Sequence, residues 1–314
     1  MKSVAFLLTP EFAPLAYSSV IVPFHYVNYA LGKTAYELSV CTFDGEPVAD
    51  TMGVRYTPHF AARALPRPPN FIILCTGRNI ERYESKALLR WLREMARGGA
   101  YMGAVSTGAH MLAAAGLLDG YRATIHWQNQ ASFAETFPRV ALTDAIFEID
   151  RNRMTCSGGN AAMDMALQII AKDHGTDMAL RCAKEFLHDR IRSAEDLQHS
   201  SRLIALRNQS QALAEAVSVV DQAPPTEISL DTMIDAAGVS LRQLQRLFRE
   251  RMQTTPKRYL AEAKLLFARR LLLQSNLKIM EIAAAANFSS QSYFCQRYAK
   301  HFGLSPSEER KRHR

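Results

Sequence analysis

The charge of this chain is concentrated in its last third. Residues 206–314 hold 17 Lys and Arg against 10 Asp and Glu, a net charge of +7 out of the chain's total of +8. The preceding residues are therefore close to neutral. A basic helical module joined to a neutral body is typical of a protein that binds DNA at one end and senses a signal at the other. We therefore expect a neutral domain over 1–205 and a basic, helical domain over 206–314.

The neutral part alternates short apolar runs with helical patterns. Strands are predicted at residues 4–8, 37–42, 71–74 and 101–105. Ser85 is expected to cap a helix over 85–97 that Gly98-Gly99 ends, and a further helix is expected over 107–115. This alternation predicts an α/β domain whose parallel sheet is covered by helices on both faces.

The last elements of the neutral part follow a different order. Apolar runs at 145–149 and 154–156 flank a short polar turn, which predicts a β-hairpin. Gly158-Gly159 then opens a helix over 161–172, and another amphipathic helix is expected over 177–190.

A sharp turn follows the strand at 101–105. The run Gly103-Ala104-Val105-Ser106-Thr107-Gly108-Ala109 passes from a buried strand through one small polar residue directly into a helix. Such an elbow presents Ser106 beside the positive end of a helix, where it suits a nucleophile or, through free backbone N–H groups, a bound anion. A plain strand-to-helix turn capped by Ser106 or Thr107 is an equally good interpretation of these residues.

Two longer runs resemble a known family. Residues 105–127, which end in Thr124-Ile125-His126-Trp127, and residues 155–159 are similar to the PfpI-type, glutamine-amidotransferase-like domain. More narrowly, they resemble the GlxA-like regulators, in which this domain is fused to an AraC-type module. The resemblance covers residues 3–195 and implies a flavodoxin-like, doubly wound parallel sheet.

The elbow departs from the pattern of the family's enzymes. Those enzymes place Cys at the elbow, often followed by His, whereas this chain has Ser106 and Thr107. The family's acid after the first strand has no counterpart in Val20-Ile21-Val22-Pro23-Phe24, where Glu11 is the nearest acid. His110 is expected to pack its helix. We therefore predict a degenerate elbow without catalytic activity; the alternative is a Ser106-dependent hydrolase or amidohydrolase fused to a DNA-binding module.

The elbow is expected to be kept as a small-molecule pocket. The resemblance implies an amino-acid-like or quaternary-amine effector of the kind of betaine, carnitine or arginine. A zwitterion needs N–H donors for its carboxylate and an aromatic face for its cation, worth roughly 0.5–2 kcal/mol per ring. Tyr17 and Phe24 are further aromatic candidates, although a core position is the favoured interpretation of Phe24. The predicted effector-binding residues are Phe12, Thr76, Gly77, Ser106, Thr107, His126 and Trp127.

The basic third contains a first helix-turn-helix pattern. Pro224-Pro225 follows a helical stretch over 206–220, and a short helix then runs to Gly238. Ser240 caps the next helix, in which Leu241, Leu244, Leu247 and Phe248 share one face while Arg and Gln side chains share another. This arrangement predicts a recognition helix with a polar, basic face.

A second pattern of the same kind follows a linking helix at 260–273. A helix over 279–286 leads through a turn at 287–289 into a helix over 290–301. The apolar residues predicted to face the core of this unit are Phe294, Tyr298 and Phe302. The tail at 308–314 is expected to be frayed and to add non-specific attraction to DNA.

Two such units on one linking helix resemble the AraC-type DNA-binding domain over residues 206–310. The resemblance implies that the second helix of each unit enters the major groove of double-stranded promoter DNA, in successive grooves about 34 Å apart. Arg can fork onto guanine and Gln onto adenine, whereas phosphate contacts position without specifying. The predicted base readers are Arg242, Gln245 and Arg246 in one groove and Gln291, Ser292 and Gln296 in the next. The predicted phosphate contacts are Arg249, Lys257, Arg258 and Lys300, with Arg297 nearby.

The sequence also argues against several classes of protein. No apolar run approaches the roughly 18–20 residues of a membrane span. The five Cys are widely spaced and none forms a CxxC pair, which argues against a disulfide framework or a metal site. We expect a cytoplasmic homodimer that uses no cofactor, is not an enzyme and, by the habit of the family it resembles, activates transcription.

Overall fold

The chain folds into two compact units. A computed structural model describes residues 1–65, 68–198, 206–275 and 277–313. The units are Met1–Gln198 and His199–Arg314, called here the N-terminal unit and the C-terminal unit. The domain boundary predicted after residue 205 falls at the end of 199–205, which lie outside the described residues, and it stays a prediction. No helix in the described ranges is long and apolar enough to cross a membrane.

The described strands of the N-terminal unit form one large sheet and two small ones. They are β1 (Lys2–Leu8), β2 (Tyr36–Thr42), β3 (Val48–Ala49), β4 (Arg55–Tyr56), β5 (Phe60–Ala61), β6 (Phe71–Cys75), β7 (Tyr101–Val105), β8 (Arg122–Ala123), β9 (Ala141–Leu142), β10 (Phe147–Asp150) and β11 (Arg153–Cys156). Over the described residues the large sheet has the order β10-β11-β7-β6-β1-β2-β5. Its neighbours pair in parallel except β10 and β11, which form the predicted antiparallel hairpin.

Helices cover both faces of this sheet. They are α1 (Pro14–Leu31), α2 (Lys86–Arg97), α3 (Gly108–Ala114), α4 (Gln130–Thr136), α5 (Ala161–His174) and α6 (Thr176–Glu185). Successive strand side chains point to opposite faces, so Phe6 belongs to a core shared with α1, α5 and α6. Its neighbour Leu7 belongs to a second core shared with α2, α3 and α4. The predicted doubly wound α/β fold is therefore confirmed.

The helix predicted over 177–190 is shorter than its sequence pattern indicates. The α6 helix ends at Glu185, and Leu187 then takes a left-handed conformation with φ +51°. The reason is a tertiary contact, because the side chain of His188 and both the side chain and the amide of Arg192 bond to the buried Asp164 on α5 instead of continuing the helix.

In the described residues of the C-terminal unit, all regular structure is helical. Its helices are α7 (Gln211–Gln222), α8 (Leu230–Ala237), α9 (Leu241–Met252), α10 (Pro256–Gln274), α11 (Ile279–Ala285), α12 (Gln291–Phe302) and α13 (Pro306–His313). The prediction of one helix over 206–220 is wrong, because Ser210 interrupts it and caps α7 by accepting a hydrogen bond from the Leu213 amide. The side-chain oxygen of Ser210 competes with helix continuation in the way that favours an N-cap.

The prediction of a frayed tail is also wrong. The tail forms α13, and Glu309 is 3% exposed. Its carboxylate accepts hydrogen bonds from the Tyr298 hydroxyl at 2.8 Å and from Arg269 Nε at 2.8 Å. A charged sequence alone gives no sign of this docking, because the partners come from α10 and α12.

Candidate functional site

The elbow lies where β7 ends at the carboxyl edge of the sheet. Ser106 has φ +60°, a left-handed conformation that is sparsely populated by residues other than glycine. Gly158 lies directly against it, since a Cβ added to Gly158 would be 3.0 Å from the Ser106 Cβ. Gly158 also has φ +97°. The residues around the turn are therefore small because the elbow and the loop after β11 approach each other closely.

Hydrogen bonds tie the elbow to the loop that follows β6. The Thr107 hydroxyl donates to the Gly77 carbonyl at 2.6 Å, and its oxygen lies 2.9 Å from the Thr76 hydroxyl. Gly77 in turn packs on the backbone of Glu11, where the Arg78 amide donates to the Glu11 carbonyl at 3.1 Å. The loops after β1, β6 and β7 thus form one hydrogen-bonded rim at the edge of the sheet.

Among the described residues, Ser106 lacks the partners of an activated nucleophile. Within the described residues, no hydrogen bond reaches Ser106 Oγ. Ser106 itself is only 8% exposed. The Glu11 carboxylate instead accepts hydrogen bonds from Asn79 Nδ2 at 2.7 Å and from the Tyr83 hydroxyl at 3.1 Å. A serine needs a base within hydrogen-bond reach to attack, and the described part of the chain supplies none.

Neither neighbouring histidine is placed as a base toward the elbow hydroxyl. His110 packs edge-on against Phe137 with ring centroids 5.0 Å apart, and burial lowers the pKa of its imidazole. The expectation that His110 packs its helix agrees with this position. His126 contacts the elbow through its backbone, donating its amide to the Ser106 carbonyl at 3.3 Å, while its Nδ1 accepts from the Gln128 amide.

The buried thiol beside the elbow does not replace the missing cysteine. Cys156 ends β11 and is fully buried. Burial raises the pKa of Cys156 to about 12, against the opposing effect of the Gly158 and Ser106 amides. The thiol is therefore protonated near neutral pH and is a poor nucleophile.

The predicted effector-binding residues occupy two environments. Thr76, Gly77, Ser106 and Thr107 meet at the rim described above. Trp127 is 39% exposed and its ring lies 5.7 Å from that of His126. The prediction that Phe12 offers an aromatic face to the effector is wrong, because its side chain is fully buried.

An aromatic cluster encloses Phe12. Its ring packs edge-on against Tyr17 at 5.5 Å and Tyr56 at 4.9 Å. Phe24 is also fully buried, as the core interpretation requires. Tyr56 and Gly158 are site neighbours that the prediction missed. The pattern of two glycines after a strand was a usable signal for Gly158, whereas nothing local marks Tyr56.

The first recognition helix, α9, is held by a capping box. The Ser240 hydroxyl accepts from the Gln243 amide, and Gln243 Oε1 accepts from the Ser240 amide. A groove of about 710 Å³ follows the helix and is lined by Ser240, Arg242, Gln243, Gln245, Arg246, Arg249 and Glu250. The structure thus places the three predicted base readers and Arg249, a predicted phosphate contact, on one face. Arg246 Nε lies 4.0 Å from Glu250, a weak pair between two exposed side chains.

The second recognition helix, α12, repeats this design with less charge. Ser290 caps it by accepting from the Tyr293 amide at 3.2 Å. Phe294 and Tyr298 are fully buried as predicted, and Phe302 is partly buried. The predicted contacts Gln291, Ser292, Gln296 and Lys300 are exposed, and Arg297 is half-buried. Tyr293, which is 47% exposed on the same helix, was missed by the prediction.

The two helix-turn-helix motifs of the C-terminal unit follow one repeat of fifty residues. In both, a Ser caps the recognition helix, two large apolar residues are buried, and a Pro begins the next helix. The paired positions are Ser240 and Ser290, Leu244 and Phe294, Phe248 and Tyr298, and Pro256 and Pro306. Between them runs α10, whose 19 residues span about 28 Å. Lys257 and Arg258 are exposed in its first turn, where Arg258 pairs with Glu262 at 2.8 Å.

Comparison with known proteins matches both units. Residues 2–172 match the DJ-1/PfpI family and residues 233–312 match a helix-turn-helix domain. The chain is 35% identical over 309 residues to the HTH-type transcriptional regulator GbdR of Pseudomonas aeruginosa, covering 98% of this chain and 84% of that protein. It is 32% identical over 312 residues to the HTH-type transcriptional regulator GlxA of Rhizobium meliloti, covering 99% and 96%.

A solved structure shares the fold of part of the chain. An AraC family transcriptional regulator from Pseudomonas putida aligns with a TM-score of 0.55 and 24% identity, over 59% of this chain and all of that one. The full-length relatives carry the stronger argument, because they align with both units at more than 30% identity. The chain therefore belongs to the AraC-family transcriptional regulators that join a DJ-1/PfpI domain to a helix-turn-helix DNA-binding domain.

Proposed function

We propose that this regulator responds to a small amino-acid-like or quaternary-amine metabolite bound at the elbow of its N-terminal unit. The observation that carries the proposal is an elbow that keeps the strained φ of +60° and the close approach of Gly158, although no base among the described residues hydrogen-bonds the Ser106 hydroxyl. Such backbone strain persists at functional sites, where the surrounding structure maintains it. A binding role explains why the shape remains without the chemistry.

The effector is expected to contact both parts of the site. Amides at the elbow suit its carboxylate, and the exposed ring of Trp127 suits its cation. Ligand binding changes DNA binding only if the effector has different affinities for two states of the protein.

We further propose that the protein acts as a homodimer in the bacterial cytoplasm, where its DNA partner lies, and that it activates transcription.

The C-terminal unit is proposed to read promoter DNA through α9 and α12. Arg242, Gln245 and Arg246 would contact bases in one major groove, and Gln291, Ser292 and Gln296 in the next. The exposed cations of α9, α10 and α12 would contact phosphates. Support comes from the repeat, which presents two capped helices with outward polar faces from a single linking helix.

Selection of bound duplexes from a random library tests these proposed DNA contacts. Arg246→Ala is expected to weaken binding by about 1–3 kcal/mol and to relax the preference at one base position. Lys257→Ala is expected to weaken all sequences similarly and to reduce the dependence of log affinity on log salt by about one. Lys184→Ala, an exposed change in the N-terminal unit, serves as the control. If both Arg246→Ala and Lys257→Ala lowered the affinity for all duplex sequences equally, the assignment of Arg246 as a base reader would be contradicted.

A thermal-shift screen tests the effector. Amino acids, betaine, carnitine and their sulfur analogues are the probes, and a ligand at 100 times its dissociation constant stabilises by about 2.7 kcal/mol. A selective shift that Trp127→Ala removes supports the proposed pocket. A flat screen with a cooperative melt contradicts the proposed ligand class and favours a dimerisation scaffold.

A further inference from the structure

The chain leaves the N-terminal unit through an irregular segment that hydrogen bonds anchor near both of its ends. This exit segment, residues 187–198, begins where α6 has ended and is followed by 199–205 and the C-terminal unit. Its first anchor is Asp164 on α5, a fully buried carboxylate. Asp164 Oδ1 accepts from the Arg192 amide at 2.8 Å, and Oδ2 lies 2.7 Å from Arg192 Nη2. The Nε2 atom of His188 lies 2.8 Å from Oδ1.

The last residues of the exit segment pair with the loop before β10. The Ile146 amide donates to the Asp196 carbonyl at 2.9 Å, and the Gln198 amide donates to the Asp144 carbonyl at 3.0 Å. Leu197 and Ala145 form the antiparallel bridge between these bonds. The exit segment therefore ends in a single antiparallel β-bridge, which is called the added strand below.

The Gln198 side chain reaches from this added strand to the loop of the proposed effector site. Its Nε2 donates to the Ile125 carbonyl at 2.9 Å and to the Thr124 hydroxyl at 3.0 Å, and it lies 3.3 Å from the Ala145 carbonyl. Thr124 is fully buried, and its hydroxyl donates to the Ala145 carbonyl at 2.8 Å. Three acceptors thus converge on one amide group.

The next two residues of that loop belong to the proposed site. His126 donates its amide to the carbonyl of the elbow residue Ser106, and Trp127 carries the exposed ring. The Ile125 carbonyl that accepts from Gln198 and the His126 amide that donates to the elbow therefore belong to the same peptide bond. Gln198 is also the last residue of the N-terminal unit.

We propose that Gln198 is a positioning residue that couples the His126–Trp127 loop to the exit segment, so that an effector contacting this loop alters the attachment of the chain leading to the DNA-binding unit. The inference rests on the proposed function, since it assumes that the loop contacts an effector. Coupling follows because the loop conformation that keeps the Ile125 carbonyl on Gln198 also fixes the added strand. A ligand that favours another loop conformation must weaken that strand by the same free energy.

The test replaces the amide donor by a carboxylate of equal size. Gln198→Glu places a carboxylate against three acceptors, and Gln198→Met removes the donors without adding charge if the first variant folds poorly. Glu195→Gln, at an exposed position of the exit segment, is the matched control. The readout is Trp127 fluorescence in a Trp91→Phe background, because the chain has only two Trp. Both Gln198 variants are expected to shift the Trp127 emission and to increase its quenching by acrylamide, whereas the control leaves both unchanged.

A double-mutant cycle on the full chain tests the coupling to DNA. The probe is the duplex that the wild-type chain selects from a random library. Gln198→Met and Trp127→Ala are each expected to change the affinity for that duplex about threefold or more, and the double variant no more than the larger single effect. Additive effects, or an unchanged Trp127 signal in both Gln198 variants, would overturn the inference. A wild-type chain that selects no duplex would instead contradict the proposed function, and the fluorescence would still decide whether Gln198 positions the loop.

Discussion

The elbow geometry depends on Ser106 and on the glycine that faces it. Gly158→Ala would add a methyl group 3.0 Å from the Ser106 Cβ at a residue with φ +97°. We expect it to lower the free energy of unfolding of the N-terminal unit by about 1–3 kcal/mol, measured by urea titration. Gly159→Ala is the matched control, because its Cβ would meet nothing within 4 Å and its φ of +55° costs about 1 kcal/mol. Equal losses in the two variants would mean that Gly158 makes no special contact.

The hydroxyl of Ser106 is expected to be dispensable for folding and for DNA binding. Because no hydrogen bond to its Oγ is found in the described part of the chain, Ser106→Ala should change the free energy of unfolding by less than about 0.5 kcal/mol. It should also leave the selected DNA sequence unchanged, as measured by library selection. A hydrolytic turnover that the wild type shows toward ester or amide probes and Ser106→Ala lacks would establish the rival enzyme.

At the scale of elements, one buried carboxylate decides where α6 ends. Asp164→Asn keeps the shape of the side chain but removes the charge that Arg192 and His188 face. Breaking a buried ion pair from one side costs about 3–5 kcal/mol, so we expect a loss of this order in the N-terminal unit. Hydrogen exchange should also rise in residues 188–192. Asp189→Asn, an exposed change beside His188, should neither lower the stability of the N-terminal unit nor raise hydrogen exchange in residues 188–192.

The docked tail helix is expected to stabilise the second helix-turn-helix unit. Glu309→Ala leaves the Tyr298 hydroxyl without its acceptor and Arg269 without its carboxylate, at a cost of about 2–3 kcal/mol. The measurement is the urea midpoint of the C-terminal unit. Lys311→Ala, an exposed charge on the same helix, should leave that midpoint unchanged and lower only the electrostatic attraction to DNA. A stable Glu309→Ala variant would mean that α13 contributes little to the fold.

At the scale of the whole molecule, the linking helix sets the spacing of the proposed DNA contacts. Its 19 residues extend about 28 Å, which suits two successive major grooves about 34 Å apart. Inserting five base pairs between the two contacted segments of a selected duplex would turn one groove to the opposite face. We expect at least a tenfold loss of affinity by fluorescence anisotropy, whereas the same insertion outside the site should have no effect. Tolerance of the inner insertion would show that only one helix reads DNA.

The sequence by itself determined those features that depend on neighbours along the chain. Alternating apolar runs predicted the α/β fold, and the caps Ser85 and Ser240 marked helix starts, because each cap accepts a hydrogen bond from an amide three residues later. The signature of two helix-turn-helix units was equally local, since its apolar positions and turns lie within single helices and their ends. The missing cysteine at Ser106 was likewise evident from the family pattern.

Only the tertiary structure decided the features that join distant residues. The early end of α6 depends on Asp164, more than twenty positions before Arg192, and the docking of the tail depends on Arg269, forty positions before Glu309. Gln198 meets the loop at Thr124 and Ile125 across more than seventy positions. No periodicity or cap encodes such pairs, because a buried polar group is satisfied by whichever partner the fold brings within hydrogen-bond reach. The sequence therefore determined the elements and their chemistry, and the packing of the sheet and helices decided which polar groups connect them.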